Sequence, residues 1–301
     1  MQISLVRYAY LSIGAAIITI LLKLTAYWIT NSVGLLSDAL EAGVNLLAAL
    51  IVLGAIRVVE KPPDADHEYG HDKAGYLSSG IEGILILLAA LTIIIASFRR
   101  LLDPQPIEQP GIGLMIALLA SAINLLVART LIRVGKGRDS IILEADGQHL
   151  MTDVWTSIGV VLGVSAAVIT GVTRIDPLIA ILVGAKIGWE GARIVLKSLR
   201  GLMDTSIEQQ ERDVLTKLLD RHEVEQGIQW HALRTRQAGA RRFVSVHLLV
   251  PGDLSVQQAH DLSEQLEAEI RSLIPNSSVF THIEPVEDPL SAEDITLDRL
   301  Y

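Results

Sequence analysis

Between Tyr8 and Leu196 the chain carries six apolar stretches: Tyr8–Ile29, Val33–Ile56, Tyr76–Phe98, Ile112–Ile132, Leu143–Val172 and Pro177–Leu196. A helix rises about 1.5 Å per residue and the hydrocarbon layer of a bilayer is about 30 Å thick, so roughly 20 apolar residues cross it. Half of the 301 residues are apolar, a fifth are charged and mean hydropathy is positive, which is too apolar for an ordinary water-soluble domain. The chain therefore reads as an α-helical membrane protein with six transmembrane helices. Its start, "MQISLVRYAY", has one arginine and no small-residue cleavage site, and is expected to belong to a retained first span.

Basic residues gather at alternate ends of these stretches. Arg7, Arg57, Lys61, Lys73, Arg133, Lys136, Arg138, Lys197 and Arg200 fall on one side, against Arg99, Arg100 and Arg174 on the other. Positive flanks favour the cytoplasm, which predicts cytoplasmic N- and C-termini. Short loops and the lack of targeting signals point to a bacterial inner membrane.

After Gly201 the composition turns polar and charged. Helical periodicity in "IEQQERDVLTKLLDRH" and "SVQQAHDLSEQLEAEIRSLI", with alternation in "IQWHALRTRQ", "RRFVSVHLLV" and "SVFTHIEP", predicts the order helix, strand, strand, helix, strand. The turn "AGA" suits a hairpin between the first two strands, and two helices on one face of a small antiparallel sheet give an α+β layer. The expected division is a membrane domain over 1–204, a soluble domain over 205–288 and a loose acidic tail over 289–301.

Charges inside a bilayer cost roughly 2.5–3.5 kcal/mol each even on lenient scales, so they face a bundle interior or a wet cavity. Span two carries Asp38, Glu41 and Asn45 at i, i+3 and i+7, on one helical face, and span five carries His149 and Asp153 at i and i+4, also on one face. Two pairs four residues apart can bring four ligand atoms together, the number zinc prefers. With no cysteine in the chain, any metal is held by His, Asp, Glu or Asn. The net charge of −9 argues against nucleic acid as a partner. Lys23 and Arg129 are expected to snorkel towards an interface, while Lys186, Glu190 and Arg193 are expected to form a self-neutralising stripe. Glu82 stays open: it could be protonated, pair with Lys23 or relay protons.

Two further groups have metal-ligand chemistry. In "KPPDADHEYGHDKAGY", Asp64, His67 and His71 place three ligands within eight residues. In the soluble part, His231, His247 and His282 fall on strands and His260 on a helix, with Glu284 two residues from His282 and so on its side of the strand. By alternation, His247 shares a face with Phe243, Ser245 and Leu249, and His231 with Leu233 and Thr235. Together these residues suggest a cluster bridged by the carboxylate.

The segments "NSVGLLSDALEAGVN", "HEYGHDKAGY", "EADGQHLMTDV", "GLMD" and "HALRTRQAG…FVSVHLLV…QAHDL…HIEP", in this order, resemble the cation diffusion facilitator family of metal-efflux transporters over nearly the whole chain. The resemblance implies a six-helix transmembrane domain, a ferredoxin-like cytoplasmic domain of αββαβ order, and a V-shaped homodimer that exchanges a divalent cation for protons. By position it implies a transport site of Glu41, Asn45, His149 and Asp153, with Asp38 a turn away. It implies a loop site of Asp64, His67 and His71, and a cytoplasmic metal cluster of His231, His247, His260, His282 and Glu284. Lys73 and Asp204 match a charge interlock that holds the dimer.

One departure bears on the cargo. Zinc- and iron-type members carry Asp or His in span two where this chain has Glu41 and Asn45; Asn brings a hard carbonyl oxygen and cannot ionise. Zn²⁺ is the expected cargo and regulatory ligand, with iron, manganese, cobalt and cadmium as alternatives, since ligand softness sets preference only loosely. Two other readings compete. A membrane metal sensor or scaffold would bind ions without moving them. An intramembrane metallohydrolase would use His149 and Asp153, although the chain has no G-x-S-x-G nucleophile elbow.

Overall fold

The computed structural model describes residues 5–30, 33–103, 110–170 and 174–293; in α2, the side chains of 33–41, 44 and 45 fall outside that description, as do those of 156, 157 and 159–169 in α5. The chain divides into two units that meet between Arg200 and Gly201.

Among the described residues the first unit is built from six helices: α1 (Val6–Thr30), α2 (Val33–Val59), α3 (Lys73–Leu102), α4 (Pro110–Gly137), α5 (Ile141–Thr170) and α6 (Ile175–Leu202). They are 25 to 30 residues long, which at about 1.5 Å per residue exceeds the hydrocarbon thickness. Val6–Thr25, Lys73–Arg99 and Leu118–Gly137 meet the length and apolarity of a span entirely within described residues. Large apolar side chains such as Leu88, Leu91, Leu126, Leu182 and Trp189 point outward, the reverse of a water-soluble bundle.

The interior of this unit has two apolar clusters. One joins Ala9 and Ala15 of α1, Val52 and Ile56 of α2, Ala128 and Leu131 of α4, and Leu143 and Leu150 of α5. The other joins Ile86 and Ala90 of α3 to Ile187 of α6. Glycine sets the close approaches. A Cβ at Gly83 would stand 2.8 Å from Val195 Cγ2 and 3.2 Å from the Gly191 carbonyl, and one at Gly147 would stand 2.7 Å from Ile132 Cγ1 and 2.9 Å from Ile132 N. Neither site has room for a methyl group, so α3 lies against α6, and α5 against α4, at small-residue distance.

The second unit runs α7 (Gln209–Gln226), β1 (Gln229–Ala238), β2 (Arg241–Val250), α8 (Val256–Leu273), β3 (Ser277–Pro285) and α9 (Pro289–Glu293). Gly227, at φ 70°, ends α7 in the left-handed conformation that costs glycine least, and Ser255 opens α8 with a reciprocal capping box to Gln258. Val244, Val246, Leu248 and Val250 of β2 form the core with Leu215, Leu219, Leu266 and Ile270 of the two helices. Thr281 on the same face of β3 bonds Ser263 at 2.5 Å and Glu267 at 2.8 Å on α8.

Three expectations change here. The sheet, in order β1-β2-β3, is mixed: β1 and β2 are antiparallel, but β2 and β3 are parallel. The reason is α8, which carries the chain back across the sheet so that β3 starts at the same end as β2. The stretch from Pro289, expected to be loose, begins with α9, where the Ser291 hydroxyl donates to the Pro285 carbonyl. Strand β1 also does not alternate throughout. Its register jumps from His231↔His247 to Arg234↔Ser245, and Ala232 there has φ 51°. This bulge puts Leu233 against the core while His231 stays opposite His247 on the other face, so His231 does not share a face with Leu233 and Thr235.

Candidate metal centres

On α5, His149 and Asp153 are one turn apart and buried, 5% and 6% exposed. α5 packs against α1, α2, α3 and α4, which makes it the central helix of its cluster. Asn124 of α4, itself buried, donates from Nδ2 to Asp153 Oδ2 at 3.2 Å and fixes one carboxylate oxygen. Sequence reasoning missed Asn124; the signal was a single amide in the apolar run "SAINLLVA". Asp38, Glu41 and Asn45 lie on α2, which packs on α5, but their side chains are outside the described residues.

Other charges of the helical unit behave differently from expectation. Lys23 does not snorkel; it is buried, 8% exposed. Glu82 is fully buried and does not pair with Lys23. Arg193 bonds Glu190 at 3.4 Å, but Lys186 leaves that stripe and sits 3.4 Å above the Trp155 ring, a cation–π contact. Arg129 is exposed.

The connection between α2 and α3 folds around Asp64. Its Oδ1 accepts from the His67 amide at 2.8 Å and the Asp66 amide at 3.1 Å, and lies 3.2 Å from His67 Nδ1; its Oδ2 lies 3.3 Å from His71 Nε2. Gly70, at φ 86°, turns the chain where the two imidazoles meet, tilted by 40° with centroids 4.5 Å apart. One ligand atom from each of Asp64, His67 and His71 lies within 4.8 Å of the others, close enough for a single ion. Desolvation pushes the Asp64 carboxyl up, but the hydrogen bonds from His67 and Asp66, with the charge of His71, leave it below the ordinary carboxylate range. Residues 67–71 spell H-E-x-x-H, the string of zinc hydrolases, yet that motif needs a helix to bring both histidines to one face, and here it is a turn.

On the face of the sheet away from α7 and α8, the registers His231↔His247 and His247↔His282 put three imidazoles in a row across β1, β2 and β3. Ring centroids are 5.1 Å and 4.8 Å apart. Glu284 reaches back along the row: His231 Nε2 is 2.9 Å from Oε2, His247 Nδ1 is 3.3 Å from the same oxygen but off hydrogen-bonding direction, and His282 Nε2 is 3.5 Å from Oε1. His231, His247 and Glu284 supply ligand atoms within 4.8 Å of each other and are mostly buried, while the His282 side chain is 64% exposed at the rim. His260, grouped with them by sequence, is exposed on α8 and is not among them. His222, buried on α7, bonds Glu269 of α8 at 3.3 Å and serves the core. Asp204 accepts from Arg236 at 3.3 Å within its own unit, and Lys73 opens α3 in the other.

Comparison with known proteins places this arrangement. Residues 9–203 match the family of cation efflux transmembrane domains, and residues 207–286 match the cytoplasmic domain of cation efflux proteins. An uncharacterized transporter of Synechocystis sp. is 48% identical over 284 residues, covering 94% of this chain and 91% of the relative. The cation-efflux pump FieF of Pectobacterium atrosepticum is 30% identical over 273 residues, covering 91% and 90%, and that of Yersinia enterocolitica is 30% identical over 282 residues, covering 93% of each. A solved chain of CzrB, described as a zinc transporter in its zinc form, is 30% identical, covers 28% of this chain and 96% of its own, and at a TM-score of 0.27 adds nothing to the fold. With both domain models matched in order over most of its length, the chain belongs to the cation diffusion facilitator family: it is a cation-efflux transporter of the membrane and not an enzyme.

Proposed function

We propose that this transporter carries a divalent transition-metal ion, Zn²⁺ first, out of a bacterial cytoplasm across the inner membrane in exchange for protons, by alternating access. The observation that carries the reading is the buried His149 and Asp153 pair on α5, a helix that packs against the one bearing Glu41 and Asn45. Burying a histidine and a carboxylate in an apolar interior is costly, and residues so placed commonly mark an ion path. The ion sheds its water onto Glu41, Asn45, His149 and Asp153, with Asp38 in reserve, and two carboxylates neutralise it. Once the site opens outward, protons compete for His149 and the carboxylates, because a ligand must be deprotonated to hold metal. Asn124 keeps Asp153 aimed while it changes between these states.

Asp64, His67 and His71 hold an ion in the α2–α3 connection. His231, His247, His282 and Glu284 hold regulatory Zn²⁺ in the C-terminal unit, and His260, exposed on α8, is free to join from a second copy in a homodimer. Lys73 and Asp204 interlock that dimer near the membrane, and both termini are cytoplasmic. Zinc entry into acid-loaded proteoliposomes, followed with an internal dye, tests the core of it. Asp153→Ala and His149→Ala are expected to fall to the rate of empty vesicles, and Asn45→Asp to change the ranking of Zn²⁺, Mn²⁺, Co²⁺ and Cd²⁺. Wild-type flux in Asp153→Ala would sink the proposal.

A further inference from the structure

Glu82 of α3 is completely buried, and neither of its carboxylate oxygens has a hydrogen-bond partner among the described residues. Asp146 of α5 is 1% exposed; its Oδ1 accepts from Ser12 Oγ of α1 at 3.1 Å, and its Oδ2 is likewise unbonded. α3 and α5 pack together, and the two carboxylates lie near enough for their charges to repel. Ser78, one turn before Glu82, stands beside it outside hydrogen-bonding geometry, its hydroxyl unbonded as well. No lysine or arginine pairs with either acid among the described residues. Two like charges without counter-charge do not persist in a low-dielectric interior, so either protons or a cation must neutralise them.

A dication supplies two positive charges where two carboxylates supply two negative ones. The donors at hand, both oxygens of Glu82, Oδ2 of Asp146 and the Ser12 and Ser78 hydroxyls, are all oxygen, the set that hard divalent ions take. Asp146 precedes His149 by three residues, about 4.5 Å along the helix axis and on the same side of it. We propose that Glu82 and Asp146 form a second divalent-cation site in the helical unit, one turn of α5 from His149, from which the ion steps to His149 and Asp153; this rests on the transport reading above. With no nitrogen ligand, the site holds Mn²⁺ relatively better than the His149 site does.

Equilibrium dialysis of the full-length, detergent-solubilised protein against Mn²⁺, with bound metal counted per chain, tests this. The background lacks the other clusters (Asp64→Ala, His71→Ala, His231→Ala, Glu284→Gln). Glu82→Gln and Asp146→Asn are each expected to hold one Mn²⁺ fewer than this background, and to lose the upward shift in melting temperature that Mn²⁺ produces through that site. Glu82→Gln keeps the size of a buried side chain and removes its need for neutralisation, so it is expected to fold at least as well as its parent. If both variants bind as many Mn²⁺ ions as the background, the pair carries protons alone and the proposal is overturned. If instead Asp153→Ala keeps every ion and still supports flux, the transport-site reading is what fails.

Discussion

At the scale of single residues, placement depends on small backbone features as much as on the ligands. Ala232, held at φ 51°, is the kink that lets His231 face His247 and Glu284. A β-branched side chain tolerates that conformation poorly, so Ala232→Val is expected to cost about 1–3 kcal/mol and to weaken zinc binding in the C-terminal unit at least tenfold by calorimetry. Ala232→Gly is expected to bind as the parent does. Equal zinc affinity in the valine variant would mean that the bulge does not position His231. The ligand types were legible in the sequence because His, Asp and Glu are conspicuous in such company, but the bulge was not: nothing in "HALRT" announces a left-handed alanine. Asn124 escaped for a related reason, since what matters is its bond to Asp153, 29 positions away, and spacing within one helix cannot report it.

At the scale of elements, two contacts make opposite demands. Gly147 lets α5 touch α4, so Gly147→Val is expected to overpack that contact by about 1–3 kcal/mol, pull Asp153 from Asn124 and reduce zinc flux several-fold at equal expression. Unchanged flux would show that the approach of α5 to α4 does not matter to the site. Between α7 and α8, Glu269 bonds Arg221 at 2.5 Å and His222 at 3.3 Å. Desolvation raises its carboxyl, but the His222 bond and the charges of His222 and Arg221 outweigh this and hold it below the ordinary glutamate value. A depressed folded-state value means the contribution is fully present above the unfolded value, about 4.3, and is lost as pH falls through the folded one. Glu269→Gln is therefore expected to flatten the fall in melting temperature below about pH 4.3; parallel curves would refute the contact's role. Helix and strand order was readable from periodicity alone. Strand direction was not, because alternation looks the same whether β3 lies parallel or antiparallel to β2, and only the length of the α8 crossover distinguishes them.

For the whole molecule, the sheet cluster is the part whose loss should leave transport running but unregulated. His247→Ala with His282→Ala is expected to keep zinc flux at high metal while abolishing its rise with metal on the C-terminal side, measured in oriented vesicles. An unchanged metal dependence would remove the regulatory role. The six apolar runs were plain from composition, yet which helices share a core was not, since the apolar side chains of one run look like those of any other. That partition has a mechanical consequence. α3 and α6 meet over glycine without a spare methyl of clearance, while the apolar filling of α1, α2, α4 and α5 also takes in Tyr76 near the start of α3. Because α3 is seated in both fillings, by Tyr76 in one and by Ile86 and Ala90 in the other, a displacement of α6 would be passed through α3 to α5, the helix that carries His149 and Asp153.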